Sequence, residues 1–158
     1  MLYLASTLYH SFRNEKIKTI LKIIDHASIY ILIAGTYTPF MLINLRGPWG
    51  WGILGSIWGL AIIGIVFKVF FIGKAKKLSL IVYVFMGWLC LIALKEMLIK
   101  IPSGGMIWLA VGGILYTFGI IFYVWRKLPY NHAIWHLFVL AGSVSHYFSI
   151  FLYILPKI

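Results

Sequence analysis

The chain has 158 residues, 63% hydrophobic and only 11% charged, with a mean hydropathy of +0.99. That leaves too little polar surface to cover a water-facing globule. Its net charge of +11 comes from fourteen Lys and Arg against three acids. The basic residues stand in short clusters between apolar runs, which argues against nucleic acid as a partner and fits loops facing anionic lipid.

Six apolar stretches follow in chain order, and they predict an all-α polytopic transmembrane helix bundle forming a single domain over 1–158. The first, Met1–Phe12, is short: twelve helical residues reach about 18 Å against a hydrocarbon core of about 30 Å. The second runs from about Asp25 to Leu45, with an amphipathic lead-in from Ile17; Asn14 is the expected N-cap and Glu15 lies in the first turn. Pro39 is expected to end or kink this helix. The third covers about Gly50–Phe71, and its Gly55-Ser56-Ile57-Trp58-Gly59 run predicts close helix packing. The fourth covers Leu78–Leu94, the fifth Met106–Trp125 and the sixth His132–Leu155. Gly and Pro with basic residues mark most of the breaks, as at Arg46-Gly47-Pro48 and Arg126-Lys127-Leu128-Pro129.

Loops alternate sides, so the basic residues orient the bundle. One side collects Arg13, Lys16, Lys18, Lys22, Lys68, Lys74, Lys76, Lys77, Arg126 and Lys127; the other holds Arg46, Lys95, Lys100 and Lys157. The richer side is predicted to be cytoplasmic, in a multi-pass protein of the plasma membrane. Trp49, Trp51, Trp108, Trp125 and Trp135 fall near span ends, as an interfacial aromatic belt requires. The single cysteine, Cys90, allows no intrachain disulfide. The N-terminus has neither the basic start nor the cleavage site of a signal peptide.

Ionisable residues inside spans are costly and point to function. His10, Asp25, His132 and His136 all fall at predicted cytoplasmic ends. His132 and His136 stand at i and i+4, with Cβ atoms about 5–6 Å apart on one helix face. That spacing suits two ligands of one zinc ion, and the alternative is a structural pair. His10 would complete a three-histidine site with an open position. Asp25 would accept a hydrogen bond from the metal's water or, in the bland alternative, pair with Lys22. Ser6 lies one turn before His10; its hydroxyl would polarise a substrate carbonyl or bond to its own helix backbone. His26 points about 100° away from Asp25 and reads as a packing or interface residue. His146 lies about 15 Å beyond His136 along the helix, too far to share a metal, and is expected to make an interhelical hydrogen bond.

These residues resemble the haemolysin III family, within the wider group of progestin and adipoQ receptors that includes the adiponectin receptors. The likeness is carried by Ser6-Thr7-Leu8-Tyr9-His10, Asp25-His26, and Ile33-Ala34-Gly35-Thr36-Tyr37-Thr38-Pro39. It continues in His132-Ala133-Ile134-Trp135-His136-Leu137-Phe138 and the stretch from Gly142 to His146. The resemblance implies a seven-helix fold with an inside N-terminus and zinc near the cytoplasmic face. By motif, the metal ligands would be His10, His132 and His136, the water partner Asp25 and the supporting hydroxyl Ser6. The same residue set marks a broader group of membrane hydrolases, among them alkaline ceramidases, and so places a membrane lipid amide or ester among the substrates. One departure stands out. The family has a complete helix before the Ser-x3-His helix, whereas this chain begins partway through that helix and so reads as N-terminally truncated, with about six helices.

The leading expectation is therefore a zinc-dependent intramembrane hydrolase. A receptor or stress regulator with structural zinc would instead close the site, with Asp25 as a direct fourth ligand. A secreted cytolytic pore needs a soluble state that this composition does not support. A transporter is weaker still, since no clear inverted repeat is visible.

Overall fold

The computed structural model describes residues 2–71, 76–125 and 127–155; the side chains of residues 2, 3, 5, 10, 76 and 77 are outside that description. Every regular element among the described residues is helical. They are α1 (Leu2–Ser11), α2 (Glu15–Pro39), α3 (Pro48–Phe70), α4 (Lys76–Trp88), α5 (Leu94–Lys100), α6 (Ser103–Val124) and α7 (Asn131–Tyr153). Four stretches are long and apolar enough to cross a bilayer: Pro48–Phe70, Leu78–Lys100, Ser103–Val124 and Asn131–Tyr153. Large apolar side chains cover their outer faces; Ile63, Ile81, Ile92, Ile99 and Ile107 are each more than 60% exposed. Lipid is the solvent such a surface requires. The protein is an all-α, multi-pass membrane protein.

Two local features shape the helices. Asn14 caps α2 through its Oδ1, which accepts from the Lys16 and Ile17 amides at 3.0 and 3.3 Å. Pro39 has no N–H to give the carbonyl one turn back. The chain answers with a π turn over Phe40–Asn44, closed by the Leu45 amide donating to the Phe40 carbonyl at 3.0 Å. The fourth span is longer than the sequence suggests: it continues through a 3-10 segment, Leu89–Ala93, into α5. Lys95 and Lys100, expected in a loop, therefore ride on helix, and Lys100 meets Glu96 at 3.0 Å one turn away.

The helices form two compact units, Met1–Thr38 with Trp51–Leu89, and Pro39–Gly50 with Cys90–Ile158. In the first, α3 buries one stripe: Ile53, Ile57, Ala61, Gly64 and Lys68. A Cβ on Gly64 would run into the Tyr30 ring of α2, and Trp58 Nε1 donates to Thr38 Oγ1 at 3.2 Å. Tyr37 ties α2 to the end of α4 by donating to the Met86 and Gly87 carbonyls at 2.8 and 3.0 Å. Those carbonyls lie in the last turn of α4, at its junction with the 3-10 segment.

In the second unit α6 and α7 pack along their lengths. The contact face of α6 is made of Gly105, Gly112 and Gly119, all buried. A Cβ on these would meet Tyr153, His146 and Phe138 of α7 in turn. The seven-residue spacing holds one face of α6 toward its partner, as in left-handed helix packing. Polar bonds add to the seam: Ser149 Oγ donates to the Gly105 carbonyl at 2.7 Å and His146 Nε2 to the Leu109 carbonyl at 3.2 Å. His146 thus makes the interhelical bond expected of it. The Gly55–Gly59 motif does not behave as expected: a Cβ on either glycine would meet nothing within 4 Å. The close small-residue packing lies instead at Gly64 of α3 and along α6.

Candidate metal centre

α7 begins just after Tyr130, whose φ of 58° turns the chain into the helix. His132 and His136 therefore occupy its first two turns. Their Nε2 atoms are 3.1 Å apart, with ring centroids at 4.6 Å and planes at 89°. One neutral imidazole can donate to the other in this arrangement. The same separation suits two nitrogens on one cation: Zn–N bonds of 2.0–2.1 Å at a tetrahedral angle place them about 3.3 Å apart. The histidine pair thus fits zinc in donor type and in spacing.

Aromatic rings frame the pair. Trp135 packs against both imidazoles, at 5.1 Å from His132 and 4.5 Å from His136. Tyr123 of α6 lies 5.1 Å from Trp135 and 6.5 Å from His132. Trp135 thus contacts the candidate ligands directly, a role beyond the interfacial belt. Its place between His132 and His136 in sequence carried the signal.

The remaining candidates lie in the first unit. Ser6 on α1 and Asp25 on α2 are buried, at 5% and 7% exposure. His26 Nδ1 donates to the Lys22 carbonyl at 2.8 Å, and the His26 carbonyl accepts from Tyr83 Oη at 3.2 Å. His26 is thus held in a local hydrogen bond beside Asp25 and is half-buried. The His10 side chain lies outside the described residues. Among the described residues no three His, Cys, Asp or Glu side chains gather around one point. Lys68 adds a feature that charge counting does not address. Counted among the basic residues of the cytoplasmic side, it is 1% exposed and continues the buried stripe of α3.

Comparison with known proteins bears on this arrangement. The family model described as "Haemolysin-III related" matches residues 1–147. The chain belongs to the haemolysin III family. It is 53% identical to "Hemolysin-3" of Bacillus cereus over 156 residues, covering 99% of this chain and 71% of that one. It is 52% identical to "Hemolysin-3 homolog" of Bacillus subtilis over 153 residues, covering 97% and 72%. The human "Monocyte to macrophage differentiation factor" is 30% identical over 159 residues, covering 97% of this chain and 66% of that protein. This distant relative carries the haemolysin III likeness into the receptor-like superfamily. No solved structure matches the chain.

Proposed function

We propose that this haemolysin III protein is a zinc-dependent hydrolase that works inside the bilayer on a membrane lipid amide or ester. The observation that supports this most is the convergence of the His132 and His136 Nε2 atoms at 3.1 Å. His10, His132 and His136 are the proposed ligands. Bound zinc supplies Lewis acidity, which polarises a carbonyl and brings the pKa of water to about 7. Asp25 accepts the proton of the attacking water and orients it; its burial keeps bulk water from competing. The Ser6 hydroxyl donates to the oxygen on which negative charge develops. The positive end of α7, beside His132, favours an anion there. The proposed location is the plasma membrane, with the site near the cytoplasmic face.

Metal analysis of the detergent-purified chain tests the reading. About one zinc per chain is expected, lost in both His132→Ala and His136→Ala. A helical, monodisperse sample without metal would remove the proposal. Asp25→Ala is expected to keep zinc and lose turnover of lipid amides or esters. The names of the Bacillus relatives supply a rival reading, lysis of cells. Purified protein that lyses red cells, with the His136→Ala variant inert, would favour that rival.

A further inference from the structure

Trp135 stands at i+3 from His132 and directly before His136 on α7, within reach of both imidazoles. Its indole lies 5.1 Å from the His132 ring at a tilt of 40°, and 4.5 Å from the His136 ring at 51°. Both separations are those of packed aromatic pairs. The indole is in turn held by α6. Tyr123 packs on it at 5.1 Å with planes at 52°. One turn earlier, Gly119 leaves the α6 backbone bare, and a Cβ there would stand 3.5 Å from Trp135 Cδ1. Gly119 and Tyr123 share a face of α6 at i and i+4, so together they make a notch for the edge of the indole. All of these residues belong to one compact unit.

The histidine pair needs such a support. Each imidazole has several staggered rotamers open to it, and the helix backbone does not select the combination in which the two Nε2 atoms meet. The observed combination sets them 3.1 Å apart with ring planes at 89°. Without metal, one Nε2–H can donate to the other Nε2 and hold the pair. A cation bound by both nitrogens takes both lone pairs, so that hydrogen bond is given up. Packing against Trp135 is a restraint that persists when the cation takes its place.

We infer that Trp135 is a positioning residue for the metal centre. Anchored in the Gly119–Tyr123 notch, its indole holds His132 and His136 in the rotamers that aim both Nε2 atoms at one cation. The inference rests on the metal site proposed above and makes metal affinity depend on α6, which supplies no candidate ligand.

Copper(II) is the probe, because an imidazole site binds it more tightly than zinc and its electron paramagnetic resonance spectrum counts bound nitrogens. The full chain in detergent, stripped of metal, is titrated with Cu2+ against a competing chelator. The parent should give a spectrum with more than one imidazole nitrogen, lost in His132→Ala. Trp135→Phe keeps a flat ring and should bind nearly as tightly as the parent. Trp135→Leu keeps an apolar side chain without the ring; its affinity should fall by about 10-fold or more, with a one-nitrogen spectrum appearing. Circular dichroism of the metal-free forms separates this from loss of fold. If Trp135→Leu does not fold, Tyr123 carries the same test: Tyr123→Leu should bind more weakly than the parent and Tyr123→Phe equally well. Copper held as tightly without the ring or its anchor as in the parent would overturn the positioning role. So would equal loss in the Phe and Leu variants, or a parent that takes up no copper at His132. Turnover and the zinc content of the purified chain do not enter, so failure of the hydrolase reading leaves this result standing. Failure here leaves the zinc analysis of His132→Ala and His136→Ala to decide that reading.

Discussion

Gly112→Ala isolates the packing of α6 against α7. A Cβ at Gly112 would overlap the His146 ring and stand 3.1 Å from the Gly142 carbonyl oxygen. The ring cannot turn aside freely, because Nε2 is held by the Leu109 carbonyl at 3.2 Å. Overpacking of a tight contact costs about 1–3 kcal/mol. Loss of an interhelical bond in a membrane costs roughly 0.6–1.7 kcal/mol more. The better helix propensity of alanine returns about 1 kcal/mol. The net expectation is destabilisation by about 1–3 kcal/mol. Gly113 supplies the control: it is the next residue on the same helix, and a Cβ there meets nothing within 4 Å. Gly113→Ala should match or slightly exceed the parent. The assay is reversible unfolding in mixed detergent micelles, followed by circular dichroism. His146→Ala makes room for the new methyl, so Gly112→Ala added to it should cost little. If Gly112→Ala proved as stable as Gly113→Ala, the glycine seam would not be the close contact described above.

Ser149→Ala removes the 2.7 Å bond to the Gly105 carbonyl and should cost about 1 kcal/mol in the same assay. Gly55→Ala and Gly59→Ala face open space; unfolding should show no loss of stability, whereas a packing GxxxG would lose it. Asn14→Ala deletes the cap of α2 and should cost about 0.5–2 kcal/mol. Amide hydrogen exchange should then rise at Lys16 and Ile17 and remain unchanged in α6.

Much of this protein was legible in its sequence. Apolar run length and charge gaps located the spans, because a bilayer tolerates few unpaired charges and demands a set helix length. Local chemistry also read correctly. Asn14 has the side chain of an N-cap, Pro39 lacks the donor an α-helix needs, and His132 and His136 share a face at i and i+4. Each outcome depends on atoms within about one turn of the residue itself.

Contacts between helices were another matter. Gly55 and Gly59 carry the familiar packing motif yet face outward, while Gly105, Gly112 and Gly119 form the seam at a spacing that becomes visible only beside α7. A small residue permits close approach but does not choose its neighbour; that choice falls to the helix with matching large side chains, here Phe138, His146 and Tyr153. Lys68 makes the same point for charge. Counting basic residues placed it on one side of the membrane, which leaves its burial undetermined. Only the packing of α3 decided that its amine lies inside. Sequence alone determined that the chain is a membrane helix bundle with a histidine pair on its last helix. The tertiary structure decided which faces meet, because that depends on complementary shape and charge from segments far apart in the chain.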